Sequence, residues 1–264
     1  MARAPTVVSA YYPIKSKFGM EKYAEWIQGF WPKTQCPLIF FTDPSISPQF
    51  EQLFKDRQAP TKVIGLPFDR LAAFRKLSPS VWHDTHQIDH ERDRHSPELY
   101  AVWYEKKEFV LRAIELNPFG SEHFVWCDAG ICRYPDWTAQ LQAFPRHETI
   151  PTGKMLVLRI NPFDSQPPPP DKHGIRGDFT QGASVGGGIL ASDISGWREW
   201  NKHYDAMLMR YLLAGRFIGK DQNIMASMIL ERPDSVVLVD PPPVMNSVQL
   251  WFYLLFYLAG VRVD

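Results

Sequence analysis

The chain has 264 residues, 45% of them hydrophobic, with 29 basic and 29 acidic side chains and an isoelectric point near 7.1. That length supports one large core or two small ones, and the neutral balance argues against a nucleic-acid binder, which would carry a basic excess. The longest apolar run, Leu250 to Gly260, is about half of what a bilayer needs.

Met1 to Pro5 leads straight into the first strand without a signal-peptide pattern. A soluble chain is therefore expected, cytoplasmic or, with a leader removed, a lumenal domain of the Golgi type. Thr6 to Ala10 is an apolar strand that leaves Tyr11 and Tyr12 at its carboxyl end. Tyr23, Trp26, Ile27, Phe30 and Trp31 recur at helical spacing, and Pro32 closes that helix. A second buried strand, Leu38 to Thr42, ends in Asp43-Pro44. A short helix follows with Ser47 as its cap and Pro48 in its first turn, then a third strand from Thr61 to Leu66. Strand and helix alternate at spacings that predict a parallel, layered α/β sheet.

Residues 67–96 are polar and carry His83, His86, His90 and His95. Lacking periodicity, they read as a solvated insertion. Ser96-Pro97-Glu98 then starts a long helix with cap and first-turn proline in order. Its inward face is predicted to be Leu99, Val102, Trp103, Val110, Ala113 and Ile114. Steps of 100° put Lys106 in the middle of that face and Lys107 on its flank. A lysine inside an apolar seam is costly unless its ammonium meets an anion. That anion is either a bound phosphate or a strand-end carboxylate, Asp128 included.

The most informative stretch follows: His123-Phe124-Val125-Trp126-Cys127-Asp128-Ala129-Gly130, an apolar strand that stops on a lone carboxylate. Open α/β sheets place ligands at the carboxyl ends of their strands. Asp128 there can hold a divalent cation through hard oxygen ligation, or it can simply cap the turn. The odd set of Cys36, Cys127 and Cys132 has no zinc-type spacing and reads as free structural thiols. Met155 to Ile160 is a further strand, and residues 161–182 form a long polar loop. Gly186-Gly187-Gly188 leads into an apolar strand, as backbone does where it must lie against a ligand or another segment. Trp197, Trp200, Tyr204, Met207, Leu208 and Tyr211 give a helical stripe. Gly219-Lys220-Asp221-Gln222-Asn223 opens another helix, where Asp221 is an N-cap or a functional carboxylate. Val236 to Val239 is the last strand. Val248, Trp251, Phe252, Leu255 and Leu258 form an apolar helix face, suited to docking on the core, to a homodimer contact or to peripheral membrane contact. No repeat or linker divides residues 1–264, so one domain is expected.

These pieces together resemble the GT-A glycosyltransferases, and more narrowly the HtrL/YibB-like proteins. The matching segments are Val7 to Pro13, Phe41 to Pro44, Trp103 to Lys107, Phe124 to Arg133 and Gly219 to Asn223. The resemblance implies a single GT-A-like, Rossmann-like domain with a mostly parallel central sheet flanked by helices. It implies a nucleotide-sugar-dependent glycosyltransferase assisted by Mn2+ or Mg2+, acting on a nucleotide-diphosphate sugar and a glycan or other hydroxyl acceptor. Ala10, Tyr11 and Tyr12 would face base and ribose, with Asp43 near the base. Lys106, with Lys107 beside it, would contact the diphosphate or donor sugar. Asp128 would hold the metal, while Gly187, Gly188, Asp221 and Gln222 would border donor sugar and acceptor; Asp221, Gln222 and Lys106 would be the catalytic residues, with Asp221 either gripping hydroxyls or assisting catalysis.

Two departures bear on that reading. The usual metal motif has two aspartates separated by one residue, and Gly130 stands at the second. No histidine follows His203 to complete a metal shell, which leaves Asp240 or the C-terminal carboxylate as substitutes. A GT-A-like protein that binds a nucleotide sugar or glycan without transferring it is the alternative. A metallohydrolase built on the four histidines is a third reading.

Overall fold

A computed structural model describes residues 3–180 and 182–263. Among these, seven strands form one sheet: β1 (Thr6–Tyr11), β2 (Leu38–Thr42), β3 (Thr61–Gly65), β4 (His123–Cys127), β5 (Met155–Arg159), β6 (Val185–Asp193) and β7 (Val236–Val239). Their order is β3-β2-β1-β4-β6-β5-β7. All neighbours run parallel except β6, which is antiparallel to both β4 and β5. This is the mostly parallel α/β sheet that the strand and helix spacing predicts.

Helices cover both faces, which is why the central strands β1, β2 and β4 are buried nearly throughout rather than alternating. One face packs α1 (Met20–Phe30), α2 (Ser47–Phe54), α6 (Trp137–Gln140) and α9 (Tyr253–Ala259) around Phe30, Phe40, Phe54, Val125, Leu141 and Leu255. The other packs α3 (Ala72–Lys76), α4 (Pro79–Gln87), α5 (Pro97–Leu116), α7 (Ile194–Leu213) and α8 (Asp221–Glu231) around Val8, Phe109, Trp126, Trp197 and Ile224. Ser96 caps α5 through Leu99 N, and Asp193 caps α7 through Gly196 N.

The chain runs β1 to β3 toward one edge, then returns so that β4 lies on the other side of β1. The carboxyl ends of β1 and β4 thus flank the point where strand order reverses, the place at which such sheets bind ligands. β6 enters from the opposite direction, bringing Gly187 and Gly188 beside the end of β4, and Asp128 N donates to Gly188 O at 2.8 Å.

Three expectations are corrected. Residues 67–96 are not a solvated insertion: they carry α3 and α4, with Trp82, Asp89 and His95 buried. Asp89 accepts from Tyr100 Oη at 2.5 Å and pairs with His95 Nδ1 at 2.7 Å, so polar residues here fasten the segment to α5. The inward face of α5 is wider than predicted, because α3, α4 and α7 pack on it beside the sheet. Glu105 and Lys107 are consequently buried, while Val102 and Trp103 are partly open. Ser47 opens α2 as its first residue and donates to Pro44 O; Ile46 holds the cap position.

The C-terminal apolar segment docks on the core. Phe252, Leu254, Leu255, Phe256 and Leu258 are buried, and Trp137 packs against Phe252 and Phe256. Homodimer or membrane contact finds no support in this arrangement. Among the described residues no helix is long and apolar enough to cross a membrane.

Candidate active site

A cleft opens at the carboxyl ends of β1 and β4 in two connected chambers. The first is lined by Ala10, Tyr11, Tyr12, Tyr23, Trp103 and Ala129; the second by Gly187, Gly188, Asp221, Gln222, Val248 and Trp251. Lys106, Asp128 and Arg133 border both. Nine of the eleven residues expected at a nucleotide-sugar site line this cleft. Asp43 does not: its carboxylate turns back to Ser45 N and Oγ at 3.0 and 2.6 Å. Lys107 is placed elsewhere altogether. One 100° step from Lys106 carries it toward α7, where it pairs with Glu108 at 2.6 Å and Asp205 at 2.8 Å above the Tyr104 ring.

The centre of the cleft is a buried lysine between two carboxylates. Lys106 Nζ donates to Gly187 O at 2.9 Å and lies 2.9 Å from Asp221 Oδ2 and 3.3 Å from Asp128 Oδ1. Burial works to lower the lysine's pKa, but the two carboxylates outweigh it and hold the ammonium charged. Asp128 is raised above the ordinary carboxylate range by desolvation, with Lys106 opposing. Its Oδ1 also accepts from Trp126 Nε1 at 2.8 Å, and 38% of its side chain faces the cleft. Asp221 is the first residue of α8, with Lys220 at the cap. Its Oδ1 accepts from Gln222 N at 2.9 Å, and its buried Oδ2 faces the Lys106 ammonium 2.9 Å away. Gln222 Nε2 is held by Val185 O at 2.7 Å.

The first chamber has an aromatic wall. Tyr11 lies 5.6 Å from Tyr23 ring to ring and is partly exposed. Tyr12 is buried, stacked on Phe109, with its hydroxyl donating to Leu66 O at 3.0 Å, so it shapes the wall rather than offering a free group.

A divalent cation at Asp128 was the expectation, and the donor set does not fit one as arranged. Among the described residues no three His, Cys, Asp or Glu side chains converge for a metal. The space between the two carboxylates holds the Lys106 ammonium. A second aspartate at position 130 has no room, since a Cβ there would meet Trp26 Cε3 at 2.8 Å and Tyr23 Cε1 at 3.0 Å. Asp240 is engaged at the β7 edge of the sheet with Arg159 at 2.6 Å, and the C-terminal carboxylate lies outside the described residues. The four histidines do not converge either: His83 and His90 are exposed, His86 meets backbone carbonyls and His95 pairs with Asp89.

Sequence reading did not single out Arg133, although it stands inside the matched segment. Its guanidinium carbon lies 4.8 Å from the rings of Phe18 and Trp26 and 5.0 Å from Phe252. An arginine six residues beyond the buried strand β4 was the available signal.

The model of a family described as "Bacterial protein of unknown function (HtrL_YibB)" matches residues 16–241. The chain belongs to the HtrL/YibB family. No curated protein matches it. Among solved structures it is similar to mouse xyloside xylosyltransferase 1 in its apo form, at 12% identity and a TM-score of 0.51, over 98% of this chain and 94% of that one. That likeness shows a shared fold, the GT-A-like arrangement implied by the sequence. Two more distant likenesses bear no weight. One is a glycosyltransferase involved in glycosylation of the major capsid of PBCV-1 (TM-score 0.38, 12% identity, 90% and 82% of the chains). The other is 4-diphosphocytidyl-2C-methyl-D-erythritol synthase from Anaerococcus prevotii DSM 20548 (0.37, 9%, 96% and 96%). Within the HtrL/YibB family match lie Lys106, Asp128, Arg133 and Asp221; Val248 and Trp251 lie beyond it.

Proposed function

We propose that this HtrL/YibB protein is a nucleotide-sugar-dependent glycosyltransferase whose acceptor is a glycan or other hydroxyl compound. The observation that carries the reading is the Lys106–Asp128–Asp221 cluster at the junction of two chambers, set at the switch point of the sheet. The aromatic first chamber suits a nucleoside, and the second suits donor sugar and acceptor. When the bond between the sugar carbon and the diphosphate breaks, the acceptor hydroxyl oxygen bonds to that carbon, its proton passes to the departing diphosphate or to solvent, and the diphosphate leaves with added negative charge. Positive charge fixed beside the leaving group stabilises that transition state more than the ground state. Asp221, which lines the second chamber, is placed to accept from a sugar hydroxyl alongside its pairing with Lys106. The Mn2+ or Mg2+ of the sequence expectation enters no step here.

One observation favours binding without transfer: both carboxylates are already engaged by Lys106, so neither is a free base. A thermal-shift panel of nucleoside diphosphates and nucleotide sugars, each with manganese and with chelator, tests the reading. A ligand at a hundred times its dissociation constant adds about 2.7 kcal/mol of stability. Stabilisation by one nucleotide family together with slow donor hydrolysis in the absence of acceptor supports a transferase. Stabilisation without hydrolysis supports the binder, and no shift with any nucleotide rejects both.

A further inference from the structure

We infer that Arg133 is the diphosphate anchor of this cleft, and that Lys106 stands in the cation's place between Asp128 and Asp221, so that donor binding needs no divalent metal. The inference rests on the proposed function only for what the anion is attached to.

Three observations lead there. First, Arg133 has five N–H donors and uses little of that capacity: Nε makes a long 3.4 Å bond to Gly130 O, and among the described residues the guanidinium forms no ion pair. Its remaining donors line the open cleft, where an anionic ligand can take them up. Second, the group is held in place. Phe18, Trp26 and Phe252 surround it within 5.0 Å, which fixes the guanidinium where a planar fork binds phosphate oxygens bidentately. An arginine whose only task was to stack on these rings would not need to border both chambers, yet Arg133 does.

Third, the charge balance of the cleft assigns separate tasks to the two cations. Lys106 neutralises one of the two carboxylates it bridges and spends its position doing so. Lys17 on the rim and Arg133 then leave the lining with one net positive charge. Neither Lys17 nor Arg133 is ion-paired among the described residues, but Lys17 is exposed on the rim, whereas the arginine is held among three rings beside Asp128, where a leaving diphosphate would gather charge. A metal would have to displace Lys106 from between the carboxylates before it could bridge them to a diphosphate.

Two measurements decide the matter, and neither requires the sugar or acceptor to be known. In the first, inorganic pyrophosphate is titrated calorimetrically in EDTA into the wild-type chain, Arg133→Gln and Arg133→Lys. The expected result is binding by the wild type, at least tenfold weaker in Arg133→Gln, with partial recovery in Arg133→Lys. Near-ultraviolet circular dichroism of each variant separates loss of the site from loss of the fold. Pyrophosphate binding that is absent in EDTA, that appears only with manganese, or that is equal in a folded Arg133→Gln overturns the inference. In the second, free Mn2+ is followed by electron paramagnetic resonance without nucleotide. Wild type should leave the Mn2+ signal unchanged, and Lys106→Gln, with its carboxylates released, should deplete it. Stoichiometric Mn2+ binding by wild type overturns the assignment to Lys106. Because pyrophosphate and Mn2+ alone are the probes, pyrophosphate binding with no response to any nucleotide would sink the transferase reading and leave the anion site standing.

Discussion

At the scale of single residues the cleft depends on groups whose loss has unequal consequences. Replacing Lys106 by Met leaves Asp221, 8% exposed in its side chain, beside Asp128 with no cation between them. Breaking a buried pair by removing one partner typically costs about 3–5 kcal/mol, and solvent screening of the 38% exposed Asp128 puts the expectation near the low end, about 3 kcal/mol. Urea unfolding at pH 7.5 reads this, and an unchanged midpoint would refute the pairing. Gly187→Ala separates geometry from stability. A Cβ there would lie 2.7 Å from Asp221 Oδ2 and 3.0 Å from Oδ1, so the carboxylate must swing away from Lys106. Donor hydrolysis is expected to fall at least tenfold with a melting temperature changed by only a few degrees. Wild-type hydrolysis in that variant would show that Asp221 need not hold its position. Lys106 and Asp128 stood out in the sequence because each is a charged residue out of keeping with its apolar segment, and Asp221 stood out at a helix start. Arg133 did not, since its surroundings come from three separate segments that sequence spacing cannot bring together.

At the scale of elements, what could be read depended on where an element gets its stability. The strands, α5 and α7 announce themselves through apolar runs or stripes and through Ser96 and Asp193 caps. Helix α4 does not, because its anchors are Trp82 and the Asp89–His95–Tyr100 hydrogen bonds, which pair polar residues with partners on α5. The flank assignment of Lys107 failed for the same reason: α7 supplies Asp205, and nothing in α5 foretells it. The C-terminal segment read correctly as a docking helix face, except that its first turn does something else. Val248 and Trp251 stay 55% and 38% exposed and border the second chamber, outside the stretch matched to the family. A tryptophan there suits contact with a sugar ring. Trp251→Ala is expected to leave donor hydrolysis and nucleoside diphosphate affinity within twofold of wild type while raising the KM for acceptor severalfold. Equal losses in donor binding and acceptor use would instead mean that the residue supports the whole cleft.

At the scale of the whole molecule, one buried carboxylate couples folding to pH. Glu105 is fully buried on the helix that carries Lys106, and its oxygens accept from Ala72 N at 3.0 Å and Ala73 N at 2.9 Å. Desolvation pushes its pKa up to about 7, against the help of those two hydrogen bonds and of Arg112 3.8 Å away. The unfolded chain would hold the same carboxyl near the ordinary value of about 4.5. Below that value both states are protonated, and the stability contributed by the higher folded pKa is fully present. As pH rises toward 7 the unfolded chain releases the proton while the folded chain keeps it, so that contribution is lost across the window and stays lost above it. With about 1.4 kcal/mol per pKa unit, the change is on the order of 3 kcal/mol for a fully buried group. Glu105→Gln carries no titrating group and should lack this component, although its single carbonyl oxygen serves one amide less well than the carboxylate serves two. The comparison is therefore one of slopes: unfolding free energies of both proteins from pH 5 to pH 8, with other titrating groups common to the two. Wild type should lose stability relative to the variant as pH rises, and parallel curves would show that Glu105 stays charged when buried, held by the amino terminus of α3 more strongly than desolvation opposes it.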